Sequence, residues 1–325
     1  MNFTLQIKPH NFPTRTAFSI SRSTVTNVTV IQVELSDGTH MGRGECRPYP
    51  RYNQTPESVT TELESVRVMI ELGQIDDALA ALQNKSAARN ALSSAWLDYR
   101  AKAAEKTAAQ LLDVATPTPR ETAFTLSWGS AESMMKAANK AANYPWLKIK
   151  IGESGLEQVL AVANARPDAR LIIDANEALS PETLPSFLNS LSGLNIALVE
   201  QPLPAGHLDR LPETDLIICA DEGLHSIDDL DRLWQLGYRA VNVKLDKCGG
   251  PFAARDLILR AKDMGFTVMA GCMVGSSLAM APMMTLECLC DVIDLDGALL
   301  LAKDVEPGLI YDGATIHPPS KALWG

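Results

Sequence analysis

WLKIKIGESG, residues 146–155, is an apolar run of strand character that ends in charge. Side chains alternate between the two faces of a strand, so Lys148 and Lys150 point the same way. Two ammonium groups on one inner face are costly unless negative groups meet them. The same construction recurs along the chain. RLIIDA carries Asp174, NIALVEQP Glu200, DLIICADE Asp221, RAVNVKLDKCGG Lys244, and CDVIDLDG Asp294 and Asp296. With TAFTLS and GFTVMAGC these make eight short apolar runs separated by amphipathic stretches. That alternation predicts a parallel (β/α) barrel rather than an open sheet.

Lys148, Asp174, Glu200, Asp221 and Lys244 follow one another at intervals of 26, 26, 21 and 23 residues, about one βα unit each. In a barrel such groups converge on the C-terminal mouth, where the active sites of this fold lie. Three carboxylates on adjacent strands form a hard oxygen site suited to Mg²⁺, and the lack of His or Cys there counts against zinc. Lys148 and Lys150 flank the carboxylates on one side and Lys244 on the other. A neighbouring ammonium and a divalent cation both disfavour the protonated form of Lys150, which makes it a candidate base. Two lysines on opposite sides of a bound substrate point to proton transfer beside a carboxylate, hence racemisation or epimerisation.

The 325 residues are 46% hydrophobic and 21% charged with a formal net charge of −10, enough for a large core. No Lys/Arg-rich stripe is present, which argues against a nucleic-acid partner. The apolar run from Val268 to Leu286 is broken by Gly271, Gly275 and Pro282, so no membrane span is expected. The six cysteines form no C-x-x-C pair and read as free thiols, and MNFTLQIKPHNFP lacks an apolar leader core. A soluble cytoplasmic protein is expected.

Before the barrel, an Asp37-Gly38 hairpin signal joins two extended runs, and Thr55-Pro56 opens a helix. A second helix follows Ser86, with Ala88, Ala91, Leu92, Ala95 and Tyr99 at helical spacing. Ser180-Pro181 and Ser226 with Asp229 read as further helix starts. No clear helix follows the last strand, so the final unit reads as abbreviated.

The K-x-K, D-x-N, E-Q-P, A-D-E and V-K-x-D-K-x-G-G segments, in this order, resemble the enolase superfamily, muconate-lactonising subgroup. The resemblance covers nearly the whole chain. It implies an α+β capping domain over residues 1–116, a (β/α)7β modified TIM barrel over 117–304, and a tail over 305–325 that returns to the cap. GECRPYPRYNQTPESV, VEQPLPA and above all DLDG are similar to the dipeptide epimerases, which implies L-Ala-D/L-Glu epimerisation in murein peptide metabolism. That resemblance casts Lys150 and Lys244 as the acid/base pair and Lys148 as their assistant at the substrate carboxylate. Asp174, Glu200 and Asp221 would hold one Mg²⁺ per subunit, and Asp294 and Asp296 the substrate ammonium. Arg22 matches an arginine that can meet a glutamate side chain in that group, with Arg51 a second candidate and Thr125 a hydrogen-bond donor to substrate. The family favours homo-oligomers, but the sequence leaves the assembly open.

GCMVGSS lacks the glutamate that the superfamily often carries after the seventh strand, which weakens lactonising and succinylbenzoate readings. The alternatives are a dipeptide epimerase of other specificity, o-succinylbenzoate synthase and N-acyl amino acid racemase. The last two act on substrates without a free ammonium and would leave Asp294 and Asp296 idle. A Schiff-base aldolase would need only one lysine and no carboxylates, and a non-catalytic barrel would not need the intact set.

Overall fold

The computed structural model describes residues 2–20, 23–207 and 210–325. Two long strands, β1 (Thr4–Ile20) and β2 (Ser23–Ser36), pair antiparallel, and Asp37-Gly38 turns the chain into β3 (Met41–Cys46). Asp37 Oδ1 accepts the N–H groups of Thr39 and His40 at 2.8 Å, and Gly38 takes φ 91°, the left-handed region that favours glycine. Helix Pro56–Ser65 starts behind Thr55 with a reciprocal cap to Ser58. Helix Ser86–Ala103 lies directly on the sheet. A Cβ at Gly42 or Gly44 would stand 2.1 Å from the carbonyl oxygen of Ala95 or Ala91, so only glycine permits this approach. Ala88, Ala91, Leu92 and Ala95 close a core with Ile31, Val33 and Leu35.

After a short β4 (Arg120–Glu121), all eight apolar runs form parallel strands. They are β5 (Phe124–Leu126), β6 (Trp146–Lys150), β7 (Arg170–Asp174), β8 (Ile196–Glu200), β9 (Ile218–Ala220), β10 (Ala240–Val243), β11 (Thr267–Gly271) and β12 (Val292–Asp294). Their order in the sheet is their order in the chain, and the Ala123 N–H donates to Ile293 O at 2.8 Å where the two edges meet. The result is a nearly closed barrel. Inward positions stack in two layers. Ile172, Leu198, Cys219, Ala240, Met269 and Val292 form an apolar floor. Two residues further along β7, β8 and β12, the same face carries Asp174, Glu200 and Asp294.

Two details differ from expectation. Among the described residues between β8 and β9 no helix forms, because Pro202, Pro204 and Pro212 interrupt that connection. Ser180-Pro181 closes a turn instead of a cap: Ser180 and Thr183 bond to each other, and the helix begins at Leu184. Ser226 and Asp229 do form a reciprocal cap, on a single 3₁₀ turn that leads into helix Leu230–Leu236. Helix Ser277–Met284 precedes β12 and none of the described residues after β12 is helical. No helix is long and apolar enough to cross a membrane among the described residues.

The last residues form β13 (Tyr311–Asp312) and β14 (Thr315–Ile316), which pairs with β4. Trp324 is fully buried, its indole N–H donating to Arg43 O at 2.9 Å and Ser94 O at 3.2 Å. The N-terminal sheet is seated on the barrel mouth by Glu45 of β3. Its carboxylate accepts the N–H of Ser276 at 2.8 Å, the Ser276 hydroxyl at 2.5 Å and the Gln32 amide at 2.8 Å.

Burial nevertheless pushes the Glu45 carboxyl up to about 7, outweighing the bonds from Ser276 and Gln32. The unfolded chain ionises this group near 4.5, so its contribution to stability is complete below pH 4.5 and is lost as pH rises through 7. Urea unfolding at pH 5 and pH 8 should show the wild type losing on the order of 1–3 kcal/mol more than Glu45→Gln. Equal losses in the two proteins would contradict this.

Candidate active site

Register brings the charges together. Lys150 lies opposite Asp174 across β6 and β7, and Asp174 lies opposite Glu200 across β7 and β8. Asp221 follows β9 directly and Lys244 follows β10, while Asp294 ends β12. Lys148, Lys150, Asp174, Glu200, Asp221, Lys244, Asp294 and Asp296 are all buried at the mouth.

Lys148 is the hub of this layer. Its Nζ stands 3.1 Å from Asp174 Oδ2, 2.8 Å from Glu200 Oε2 and 2.8 Å from Asp294 Oδ2. Burial alone would push its ammonium down, but the Asp294, Glu200 and Asp174 carboxylates hold it well above the usual lysine range. Lys150 Nζ meets Asp174 Oδ2 at 2.5 Å, and Lys244 Nζ meets Asp221 Oδ2 at 2.6 Å. Lys244 is likewise held up against burial by Asp221.

Side-chain amides orient the acids. Asn242 Nδ2 donates to Glu200 Oε1 at 2.8 Å. A Cβ at Gly271 would stand 2.0 Å from Asn242 Oδ1, so the bare glycine on β11 makes room for that amide. Gln201 Oε1 accepts the N–H groups of Asp221 and Gly223, at 2.8 and 3.0 Å. The Asn176 N–H donates to Asp174 Oδ1 at 3.0 Å.

Among the described residues, no three His, Cys, Asp or Glu side chains stand disposed around a metal ion; the expected ligands close on lysines. Their chemistry nonetheless fits a hard cation. One ammonium already bridges Asp174 and Glu200, and the buried Glu200 Oε2 accepts no hydrogen bond despite that contact. Burial and the Asp174 charge push the Glu200 carboxyl up to about 8, a cost that a divalent cation held by oxygen ligands would offset.

At the β12 side, Asp296 Oδ2 accepts the Thr125 N–H at 2.6 Å, which ties β5 to the end of the barrel. Thus Thr125 meets Asp296 through its main chain. Burial and then the Asp294 charge push the Asp296 carboxyl up to about 7. Asp294 Oδ1 is buried and accepts no hydrogen bond. Two acids crowded in this way suit a cationic ligand.

A cavity of about 430 Å³ lies over the charged layer, roofed by the N-terminal strands and the loop after β3. Lys150, Lys244, Asp294 and Asp296 all line it. Arg51 also lines it but makes a two-pronged pair with Glu177 at 2.9 and 2.8 Å, joining the roof to the loop after β7. Arg22 lies outside the described residues. Arg47, four residues earlier in the CRPYPRY loop, is not among the residues that the sequence singles out. Its guanidinium lines the cavity and donates to Val274 O at 3.2 Å, yet no carboxylate of the described residues reaches ion-pair distance. Burial pushes Arg47 down, against the opposing pull of Tyr49 and Asp246. The signal was its place in a loop that returns to the mouth.

A barrel whose mouth sets lysines against carboxylates under an N-terminal roof defines a class of enzymes. The family model described as Enolase C-terminal domain-like matches residues 131–320. L-Ala-D/L-Glu epimerase of Escherichia coli strain K12 is 36% identical over 319 residues, 97% of this chain and 99% of that one. N-acetyl-D-glutamate racemase of a Pseudoalteromonas species is 36% identical over 308 residues, 91% of this chain and 95% of that one. An enolase family member from Agrobacterium tumefaciens with homology to dipeptide epimerases was solved with bound sodium and L-Ala-L-Glu. It is 40% identical and superposes with a TM-score of 0.95 over 99% of this chain and 100% of that one. The chain belongs to the enolase superfamily and is an enzyme of the isomerase class.

If the acids form a cation site, Glu200→Gln should weaken Mn²⁺ binding roughly tenfold or more, read by paramagnetic resonance of free Mn²⁺. Unchanged affinity would remove Glu200 from the ligand set.

Proposed function

We propose that this chain is a Mg²⁺-dependent dipeptide epimerase that inverts the C-terminal residue of L-Ala-D/L-Glu, in cytoplasmic murein peptide metabolism as the family resemblance implies. The observation that carries the reading is the opposition of Lys150 and Lys244. They reach one cavity from β6 and from the end of β10, with the carboxylates of β7, β8 and β9 between them.

Asp174, Glu200 and Asp221 would hold the metal. When bound, Mg²⁺ supplies positive charge where negative charge builds on the substrate carboxylate. One lysine, as the neutral amine, takes the α-proton, and the C–H bonding pair moves into the carboxylate to give an enediolate. The other, as ammonium, returns a proton to the opposite face of the same carbon. Each lysine ends in the protonation state in which its partner began. Lys148, already in contact with three carboxylates, lends a further positive charge at the carboxylate end.

Asp294 and Asp296 would hold the free ammonium of the first residue. Arg47 supports an acidic second residue, since its guanidinium is the cavity cation that no described carboxylate meets at ion-pair distance. A second reading, racemisation of an N-acylated glutamate, is favoured by the likeness to N-acetyl-D-glutamate racemase. The two readings diverge at the aspartates, because an acylated nitrogen carries no charge.

Incubation with L-Ala-L-Glu and Mg²⁺ in D₂O should remove the Glu α-proton signal and produce the D-Glu epimer by NMR. Exchange of N-acetylglutamate alone would select the second reading, and activity that survives EDTA would remove the metal. Asp296→Asn should lower kcat/KM for the dipeptide roughly 100-fold while sparing N-acetylglutamate. Arg47→Met should lower the preference for L-Ala-L-Glu over L-Ala-L-Gln roughly 30-fold or more; an unchanged ratio would take Arg47 out of substrate selection.

A further inference from the structure

A fourth lysine stands in the charged layer and has no part in the chemistry above. Lys247 follows Lys244 by one helical turn, in the short helix Leu245–Cys248 for which Lys244 is the cap. Its side chain is 1% exposed. An ammonium has three protons to donate and accepts nothing. Here the three acceptors are Asp221 O at 2.5 Å, Asp221 Oδ1 at 2.5 Å and Asn242 O at 3.2 Å. The residue therefore ties the end of β9 to the end of β10 and takes one oxygen of Asp221 for itself. The other oxygen, Oδ2, faces Lys244.

The opposite face is built differently. Lys150 meets Asp174 Oδ2, and Asp174 Oδ1 is held by the main-chain N–H of Asn176. Each lysine of the pair thus has its own carboxylate. Asp174 is steadied by a peptide N–H at Oδ1 and shares Oδ2 between Lys150 and Lys148, whereas Asp221 is held at Oδ1 by Lys247, which touches only Asp221 of the two.

We infer that Lys247 is a positioning residue for one face of the reaction: by holding Asp221 through Oδ1 and the main chain it aims Lys244, and it has no influence on Lys150. The inference rests on the two-lysine reading above. A merely structural role would disturb both faces alike, because the two faces share one barrel and one cation site.

The test uses the Mg²⁺-loaded full-length protein and both epimers, L-Ala-L-Glu and L-Ala-D-Glu, followed separately by NMR in D₂O. In Lys247→Met, α-proton exchange from the epimer that Lys244 deprotonates should fall roughly 10–100-fold, the scale of losing a group that orients a ligand. Exchange from the other epimer should persist while its inversion falls, giving wash-in of deuterium without change of configuration. Lys247→Arg should restore part of the lost exchange. Binding of Mn²⁺ without substrate should weaken by roughly tenfold, because Asp221 is also a proposed ligand, and exchange is therefore read at saturating metal, which separates the effect from loss of the metal.

Equal loss of exchange from both epimers, or no loss from either, would overturn the inference while leaving the function intact. So would a loss of Mn²⁺ affinity in Lys247→Met so large that the metal site cannot be saturated. A wild-type protein that exchanges neither epimer of the dipeptide nor N-acetylglutamate would overturn the function and this inference together.

Discussion

Buried charge on the inner face of the barrel is the constraint that the rest of the structure serves. Lys148 alone touches Asp174, Glu200 and Asp294, from three other strands. Removing one partner from such a buried cluster leaves an uncompensated charge, which costs several kcal/mol, so each member stabilises the placement of the others. The apolar floor of Ile172, Leu198 and Met269 keeps water from the underside and forces these groups to answer one another. Register does the rest. A shift of one residue on any strand would turn its charged side chain outward into the helical layer.

The roof completes this arrangement. Gly42 and Gly44 let helix Ser86–Ala103 press onto the N-terminal sheet, which holds the loop after β3 over the mouth. That loop carries Arg47, Arg51 and Tyr52 into the cavity. The pair between Arg51 and Glu177 fixes the roof to the β7 side, and Glu45 with Ser276 fixes it to the β11 side. An acidic group within the cavity would therefore meet a cation whose backbone is anchored on both flanks.

Much of this was legible in the sequence because alternation is a local property. All eight apolar runs became barrel strands, and each strand-end charge was read as facing the mouth from its spacing alone. The proline-interrupted connection between β8 and β9 is not legible as helix-free, since RLPETDL in isolation carries helix-compatible residues around its single proline, Pro212. The role of Lys247 is not legible in V-K-x-D-K-x-G-G, because its partners are a main-chain oxygen of β10 and an acid 26 residues earlier. Arg51 was read as a contact to substrate; its pairing with Glu177, 126 residues away, is a relation that no local pattern encodes. Roles for these residues depend on contacts across the chain, which appear only when the barrel is closed.

The same long reach bears on how the molecule comes into being. Lys148 meets Asp294 across 146 residues, Thr125 meets Asp296 across 171, and Glu45 meets Ser276 across 231. Contacts so distant form late, since long loops must close before they are rewarded. On a ribosome, the strands bearing the lysines emerge well before the last strand that supplies Asp294. Until then Lys148 can reach Asp174 and Glu200 on β7 and β8 but lacks its third carboxylate, Asp294. The arrival of β12 closes the barrel against β5 and brings Asp294 to Lys148 and Asp296 to Thr125, so one strand completes both the barrel and its charged layer.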